Sequence, residues 1–575
     1  MPALSRFRSD PLCAGASAFT YAEKKMSTFG ILQEKSFEHT PGTAILHDDA
    51  TAGVAAQAAA GLKHGKGRYG HIVLVPQPTD DPDDPLNWPL WRKDLCLFSV
   101  ALGSLCFTAV LVPMLSPATY ALSIELNTSI TAIAQLTGNC LLCVGAFGPF
   151  VSAMSRLWGK RPQFLLASLL GILGTIVCEC ANSYKILLAG RLFQGLSVAA
   201  YESLIVALMG DMYFVHQRGA RVTIFQLVTN TFGVLSPIIA GVIFDNLGWK
   251  YLFHIAQPFL IAQLVMVFFF VPETSYHRPE IYNTDVASTE RLEELKYVEV
   301  TESEHARGAP HDGRQAVSTP TPKTTWQRLS IYNGRFSRQH PLKLVVAPFV
   351  CLANPAAVWG CLTQGISSGW WVATSFVLAQ IFGVPPYNLS TAGVGYLYVG
   401  PFIGGLLGVL FMSFSSDPLA RFVAKRNRGV YEPEFRLYPM ILALITGTIG
   451  LFLYGHMIED GKGYYVASAL HGIYGFSVNT AGAVMNSYVV DAFREESTEM
   501  LVIAMVFKNF FFFSLAYWVN NYLAVTGPAR YFDVQGGIVV GIYALSIPMY
   551  VFGKLNRGWW RRHDLINKMG MGDVH

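Results

Sequence analysis

The chain has 575 residues, of which 52% are hydrophobic and only 14% are charged, and its formal net charge is +4. Because soluble globular proteins carry about 25% charged residues, this composition predicts an integral membrane protein and excludes an ordinary soluble domain. The small net charge gives no indication of a nucleic-acid partner. Most of the nine cysteines lie in apolar runs, which predicts packed core residues rather than disulfides or metal ligands.

The first 80 residues are polar and rich in alanine and glycine, which predicts a disordered tail. They contain no apolar stretch followed by a cleavage site, so no signal peptide is predicted. The sequence DPLNWPLWRK, Asp84 to Lys93, then places two tryptophans and two basic residues where an interfacial anchor belongs, just before the first apolar segment.

Twelve apolar segments follow in two groups of six, each about long enough to cross a bilayer as a helix. The first group is predicted at 94–114, 130–153, 163–182, 186–209, 223–244 and 252–272. The second group is predicted at 355–382, 391–413, 437–457, 464–489, 500–524 and 535–553, preceded by an interfacial helix at 344–354. The predicted fold class is therefore an all-α membrane protein with two six-helix bundles, at 94–272 and 344–553.

Lysine and arginine residues cluster after the second, fourth and eighth segments and in the C-terminal tail, 554–575. Because positive residues favour the cytoplasmic side, both tails and the polar linker at 273–343 are predicted to be cytoplasmic, and the linker's composition predicts disorder. Asn127 and Asn388 lie in N-x-S/T sequons in predicted external loops. Their closeness to the membrane disfavours glycosylation.

The fourth segment, Ile186 to Gly210, contains an arginine and a glutamate, Arg191 and Glu202. A charge at membrane depth costs roughly 3 kcal/mol. Eleven residues of α-helix are three turns plus about 20°, so the two side chains share one face, ~16 Å apart along the axis. This face is predicted to meet protein or a water-filled path, and an ion or substrate route is the functional interpretation. Structural charge pairs with neighbouring helices are the alternative.

The sequence RLFQG, Arg191 to Gly195, resembles the fourth-span motif of the major facilitator superfamily. The resemblance implies that Arg191 takes part in proton coupling, since a fixed cation alters the protonation of a nearby carboxylate. The predicted coupling group is Arg191 with Glu202, joined by Glu179, which lies at a similar depth near the outer end of the third segment. A static ion pair that fixes helix packing is the alternative for either acid.

The loop SRLWGKRP, Ser155 to Pro162, is similar to the best-known cytoplasmic loop motif of the same family. Gly159, Lys160 and Arg161 match the motif, which implies a part in gating. Arg156 stands where the family has an acid that helps to close the cytoplasmic side. The closing contact therefore either uses another acid, for which Asp211 is a candidate, or is set differently.

The fifth segment contains TFGVLSPIIAGVIF, Thr231 to Phe244, which resembles the antiporter motif of this family. Pro237 and Gly241 match, while Ser236 and Ala240 replace glycines but are small. Small residues allow close helix contact and proline loosens the backbone bonding. The match favours export over uptake, and a kinked, tightly packed helix without a coupling role is the alternative.

GWKYLF and PET resemble the usual entry to and exit from the sixth span of this family. Three further motifs resemble fungal members of the twelve-span drug:proton antiporter branch, so the resemblance covers about 72–565; they are DPLNWPLWRK, YEPEFRL and SYVVDAFREE. The resemblance implies a proton-coupled exporter of a drug, toxin or secondary metabolite, working by alternating access and usually monomeric. The plasma membrane is the expected location, with the vacuolar membrane as the alternative.

Polar and aromatic residues inside the predicted spans are candidates for the substrate cavity. They are Gln226, Asn230, Gln364, Trp370, His471, Asn479, Asn486 and Lys508. Helix-to-helix hydrogen bonds are the alternative for the amides, and packing is the alternative for His471. Lys508 either contacts substrate or extends its amine toward the cytoplasmic surface.

Two other functions share this sequence pattern. One is uptake of polyamines or another nutrient, and the other is a membrane sensor that does not transport. The chain contains no H-E-x-x-H, G-x-S-x-G or G-x-x-x-x-G-K-S/T sequence, so neither an enzyme nor ATP-driven transport by this chain is predicted. No cofactor is predicted; the expected partners are protons, a small-molecule substrate and the lipid bilayer.

Overall fold

The computed structural model describes residues 29–33, 42–45, 63, 74, 76–79, 81–276, 324–337, 339–427, 429–494, 496–563 and 565–569. Most of the tail predicted at 1–80 and of the linker predicted at 273–343, as well as the last residues of the C-terminal tail, lie outside the described residues. The described part is almost entirely helical, and its strands are β1, Ala44–Ile45, and β2, Val430–Tyr431.

Six long helices form the first bundle. They are α1 (Leu90–Gly103), α2 (Ile130–Trp158), α3 (Arg161–Glu179), α4 (Tyr184–Ser203), α5 (Val215–Leu247) and α6 (Lys250–Phe270). Two of them, α1 and α4, are continued by shorter helical segments. A π-helix, Ser104–Val110, and a 3-10 helix, Pro113–Leu115, extend α1, and the short helix Ile205–Met212 extends α4. A short helix, Thr119–Glu125, precedes α2.

Six long helices also form the second bundle. They are α7 (Pro355–Phe382), α8 (Val399–Arg426), α9 (Met440–Glu459), α10 (Tyr464–Ala492), α11 (Ser497–Thr526) and α12 (Pro528–Ala544). The helix Pro341–Val350 leads into α7, Thr391–Tyr396 leads into α8, and Ser546–His563 continues α12. Helix starts follow local rules: the Asn354 side chain accepts from the Ala356 amide just before α7, whose first residue is a proline.

The all-α membrane fold is confirmed. Ten helices of the described chain are long and apolar enough to cross a membrane, or eleven if the pair Pro341–Ala353 and Pro355–Phe382, bent by 96°, is one span. The bend separates the predicted interfacial helix from α7. Among the described helices, α10 has 29 residues and occupies the predicted tenth span, but its polar residues keep it outside that apolar set.

Each bundle has its own apolar core, and the two bundles meet along two helix crossings. One crossing joins α2 to α11, and the other joins α5 to α8 and the helix Thr391–Tyr396. Small residues permit the first, since a Cβ added at Gly138 would lie 2.5 Å from the Cβ of Ala516. We call the end of the molecule with residues 156–161 and 421–436 the basic end.

Part of the N-terminal tail contacts the second bundle at the basic end. Strand β1 pairs antiparallel with β2, and Thr43 donates a 2.7 Å hydrogen bond to the buried carboxylate of Glu432. Arg557 and Lys554 also bind Glu432, at 2.9 and 2.6 Å. Burial alone would raise the pKa of Glu432, but these two positive charges outweigh it and hold the pKa below its usual value.

Candidate functional site

The loop between α2 and α3 is held by an acid that follows α6, the last helix of the first bundle. Gly159 has a left-handed φ of +91°, and a Cβ there would lie 2.2 Å from a carboxylate oxygen of Glu273. Glu273 accepts hydrogen bonds from the backbone amides of Lys160 and Arg161, at 2.9 and 3.1 Å. The Lys160 side chain forms an ion pair with Asp211 at the end of the α4 extension. Asp211 therefore does bind the loop, but through Lys160.

Arg156 connects the two bundles at the basic end. Its guanidinium forms an ion pair with Glu499 in the first turn of α11, and the two side chains are 28% and 11% exposed. Glu499 thus supplies the acid for the contact, while the base lies on the α2 side. The polarity is reversed relative to the family motif that this loop resembles.

Arg191 lies in the core of the first bundle. Its side chain is fully buried, and it donates to the Leu111 carbonyl at 2.7 Å and to the Gln194 side chain at 3.1 Å. The ring of Phe253 lies 5.7 Å from the guanidinium carbon, which adds a cation–π contact. The Nε and Nη2 groups of Arg191 have no hydrogen-bond partner among the described residues.

The carbonyls that Arg191 and Ser236 contact belong to the irregular part of α1. The π-helix ends at Val110, and Pro113, which has no N–H, starts a 3-10 turn. Ser236 donates to the Val110 carbonyl at 2.8 Å, beside the bond from Arg191 to Leu111. Two motif positions on α4 and α5 therefore satisfy backbone carbonyls where the α-helical pattern of α1 is interrupted, as an apolar environment requires. The hydroxyl of Ser236 makes a bond that a glycine could not.

Glu202 forms an ion pair across the two bundles. One carboxylate oxygen contacts the Lys508 ammonium on α11, and the other accepts from the Asn509 amide at 3.2 Å. The side chains of Glu202 and Lys508 are 17% and 18% exposed, so the pair is only partly withdrawn from the surroundings. Glu202 lies one residue before the end of α4, next to the break at Leu204.

The structure does not bring the three residues of the predicted coupling group together. Arg191 contacts α1, and Glu202 contacts α11. Glu179 makes no hydrogen bond with Arg191 or Glu202 among the described contacts. Its carboxylate lies 2.7 Å from Nδ1 of His254, and the side chains of both residues are substantially exposed. Lys508, which sequence alone leaves between a substrate contact and a surface-directed side chain, is the partner of Glu202.

Two predicted cavity amides also join the bundles. Asn230 on α5 donates to Asn479 on α10 at 3.0 Å, and Asn479 donates back to the Gly475 carbonyl at 2.9 Å. Gln226, Gln364 and Asn486 are partly buried on α5, α7 and α10. Asn230 and Asn479 are therefore the cavity amides that the described contacts place between the bundles.

Trp370 and His471 lie inside the second bundle. Trp370 is 4% exposed and packs edge-on against Phe511 and Trp518. The His471 ring lies 4.7 Å from the ring of Trp371, and both of its nitrogens lack a hydrogen-bond partner among the described residues. Trp370 thus serves packing in this conformation, and His471 is buried among aromatic rings, those of Trp371, Tyr398 and Tyr454.

Pro237 and Gly241 lie at the crossing of α5 with the helix Thr391–Tyr396, at the end opposite the basic end. A Cβ at Gly241 would lie 2.7 Å from the Thr391 carbonyl oxygen. Asp245 then accepts from the backbone amide of Ala392 at 2.9 Å, which caps that helix. The motif therefore closes the two bundles against each other at this end.

The sequon asparagines lie at this opposite end as well. Asn127 and Asn388 are exposed and have left-handed φ values of +50° and +48°. Asparagine tolerates this backbone conformation better than most residues, so both positions have a structural reason for asparagine.

Some residues of the site have only a weak signal in the sequence. Glu273 is part of the PET exit, Glu499 follows Glu495 and Glu496 in a polar stretch, and Asn509 is a polar residue inside a predicted span, where a helix-to-helix hydrogen bond is the favoured interpretation. Their roles depend on partners 113, 343 and 307 residues away along the chain. A search for acids near the basic loops would have found Glu273 and Glu499, but nothing local would have chosen between them.

Two six-helix bundles that meet at small-residue crossings, with charged side chains paired between them, define a multi-pass membrane transporter. The profile of the Major Facilitator Superfamily matches residues 95–507, and the chain belongs to this family. It is therefore a membrane transporter of small molecules and not an enzyme.

Two curated relatives and one solved structure show the extent of the similarity. An MFS-type transporter of Schizosaccharomyces pombe is 27% identical over 91% of this chain and 93% of its own. The efflux pump radE of Floropilus chiversii is 23% identical over 90% of each chain. The xylose transporter XylE from E. coli, in a partially occluded inward open conformation, superposes with a TM-score of 0.53 at 14% identity, covering 80% of this chain and 97% of XylE. The last comparison shows the fold alone.

Proposed function

We propose that this transporter exports small organic molecules in exchange for protons, and that Glu202 carries the exchanged proton. The observation that supports the proposal is the Glu202–Lys508 ion pair, which joins α4 to α11 and remains partly accessible. A carboxylate held between two moving bundles can gain or lose a proton as each side opens, and intramembrane ionisable groups commonly mark such routes.

The Glu202–Lys508 ion pair also accounts for why proton and substrate would move in opposite directions. With Glu202 ionised, the Lys508 charge is neutralised and the region between α4 and α11 accepts an apolar or neutral molecule. With Glu202 protonated, an unpaired ammonium remains in a region of low dielectric, where an uncompensated charge is costly. Proton binding and the binding of a neutral substrate therefore oppose each other, which is the requirement for antiport. An anionic substrate would reverse the sign.

Two further features support export. The fifth helix has the antiporter-like motif around Pro237 and Gly241, and it closes the end of the molecule opposite the basic end. A relative aligned over 90% of the chain is described as an efflux pump. The basic loops give the orientation, with the basic end in the cytoplasm, and the plasma membrane is the proposed location.

Reconstitution in liposomes with a trapped pH-sensitive dye tests this function. In a panel of neutral aromatic compounds, an imposed proton gradient should drive transport opposite to proton flow. Glu202→Gln should abolish the coupled movement while the protein stays folded and inserted, and Asp460→Asn, an exposed acid in the loop after α9, should leave it unchanged. Full coupled transport by Glu202→Gln would refute the role of Glu202.

The same measurement separates the alternatives. Substrate movement in the direction of the protons would indicate uptake by symport. This alternative is kept because the antiporter-like motif is incomplete, with Ser236 and Ala240 in place of two glycines. The absence of any substrate-dependent proton movement with all compounds would indicate a sensor of the same fold.

A further inference from the structure

We propose that Glu202, Asn509 and Phe512 form a cation subsite that the ammonium of Lys508 occupies from within the chain. Lys508 is then a specificity-determining residue that excludes organic cations from the transport pathway. This inference uses the proposed function only in taking the region between α4 and α11 as part of the substrate pathway.

The first observation is the electron-rich surroundings of the Lys508 ammonium. It contacts a carboxylate oxygen of Glu202 and lies 5.6 Å from the centre of the Phe512 ring. A carboxylate together with an aromatic face is the combination that proteins use to hold ammonium groups. Phe512 is 5% exposed and belongs to the core of the first bundle although it lies on α11, so its ring is fixed by packing from both bundles.

The second observation is an unused acceptor beside this pair. The Asn509 side chain is fully buried and donates its amide to Glu202, while its Oδ1 atom has no hydrogen-bond partner among the described residues. Buried polar atoms are normally paired. A carbonyl oxygen next to a carboxylate and an aromatic face is an acceptor for a positively charged donor, so all three side chains favour the same kind of ligand.

The third observation is that the subsite can be reached. Both Glu202 and Lys508 keep about a sixth of their side-chain surface exposed, at 17% and 18%. Lys508 lies eleven residues into α11, roughly 17 Å along the helix from its start. The subsite is therefore at membrane depth and between the bundles, where a transported molecule passes.

The tethered ammonium decides which molecules can use this subsite. A second cation would meet the Lys508 charge at close range in a poorly screened environment, and like charges there repel strongly. A neutral molecule meets a neutral pair and is not excluded. Replacing Lys508 by an uncharged side chain of similar length should therefore expose a vacant subsite with an unpaired carboxylate, which an organic cation can fill.

Binding of radiolabelled benzylammonium, a primary ammonium ion, to the purified full-length protein tests this inference. The native protein should bind this cation at least about tenfold more weakly than Lys508→Met does. Adding Glu202→Gln to that variant should remove the binding, and adding Phe512→Leu should weaken it by about 2- to 30-fold. Benzyl alcohol, the neutral probe, should not distinguish the native protein from Lys508→Met.

The controls make each outcome decisive. Lys462→Met, at an exposed lysine in the loop before α10, should gain no binding. Lys508→Gln repeats the test if Lys508→Met is not monodisperse. The inference is overturned if the native protein binds benzylammonium as tightly as the variant, if neither folded variant binds it, or if binding is unaffected by Glu202→Gln. Because no proton gradient is applied, these results are separate from those that would refute proton coupling.

Discussion

Breaking the ion pair between Arg156 and Glu499 should loosen the contact between the bundles at the basic end. The two side chains are 28% and 11% exposed, so the pair is intermediate between a surface pair and a buried one. Exposed pairs contribute about 0.2–1 kcal/mol, and breaking a fully buried pair costs about 3–5 kcal/mol. We therefore expect a coupling energy of about 1–2 kcal/mol between the two residues.

A double-mutant cycle measures this energy. Arg156→Glu and Glu499→Arg should each lower the free energy of unfolding in a graded SDS titration, because each leaves two like charges in contact. The swapped double variant should be more stable than the sum of the single changes predicts by more than the pair's own ~1–2 kcal/mol, because the swap restores the attraction and also removes the like-charge repulsion present in each single variant. Arg426→Glu, an exposed arginine at the same end, should have little effect.

The swap also tests the reversed polarity. If the pair is an interchangeable contact between α2 and α11, the double variant should regain transport as well as stability. Additive effects in the cycle, with no recovery in the swapped variant, would show that the bundles are held by other contacts and would refute the assignment of Glu499 as the acid of this loop.

Three further predictions follow from single residues. Ser236→Ala should lower the free energy of unfolding by about 1 kcal/mol, because it removes the hydrogen bond to the partly buried Val110 carbonyl. SDS titration of Ser236→Ala beside Ser236→Thr measures this. Glu179→Gln should retain proton-driven transport in liposomes, because the Glu179 carboxylate lies at the surface beside a histidine. If this variant lost as much transport as Glu202→Gln, Glu179 would have to be assigned a part in proton coupling. The pKa of Glu432 in the folded protein is below its usual value of 4.5. The stabilising contribution of Glu432 is therefore complete above pH 4.5 and is lost as the pH falls through the folded pKa. The decrease in melting temperature at acidic pH should be smaller in Glu432→Gln, and an unchanged decrease would contradict this.

Helix positions were largely predictable because apolar length dominates them. The third span was predicted at 163–182 and is Arg161–Glu179, and the separate helix before α7 was expected as an interfacial segment. The irregular turns were not predictable. The π-helix in α1 depends on Arg191 and Ser236 from other helices, which satisfy the carbonyls that it leaves.

The candidate site was predictable in its residues but not in its pairs. Arg191, Glu202 and Lys508 stand out because charge is costly in a membrane. Helical periodicity placed the first two on one face, yet Arg191 turns to α1 and Glu202 to α11. The partner of Glu202 is 306 residues away, and only the docking of the two bundles brings it near. Distances along a single helix carry no information about that docking.

The pairing of β1 with β2 has a consequence for biosynthesis. The segment with β1 is synthesised before either bundle, whereas Glu432 follows α8 and Arg557 follows α12. The pairing of β1 with β2 can therefore form only after α8 has been made, and the contact with Arg557 only after both bundles have been made. An affinity tag placed before residue 29 would keep the pairing of β1 with β2, whereas a deletion through residue 45 would expose the charged cluster around Glu432 in a protein whose two bundles are intact.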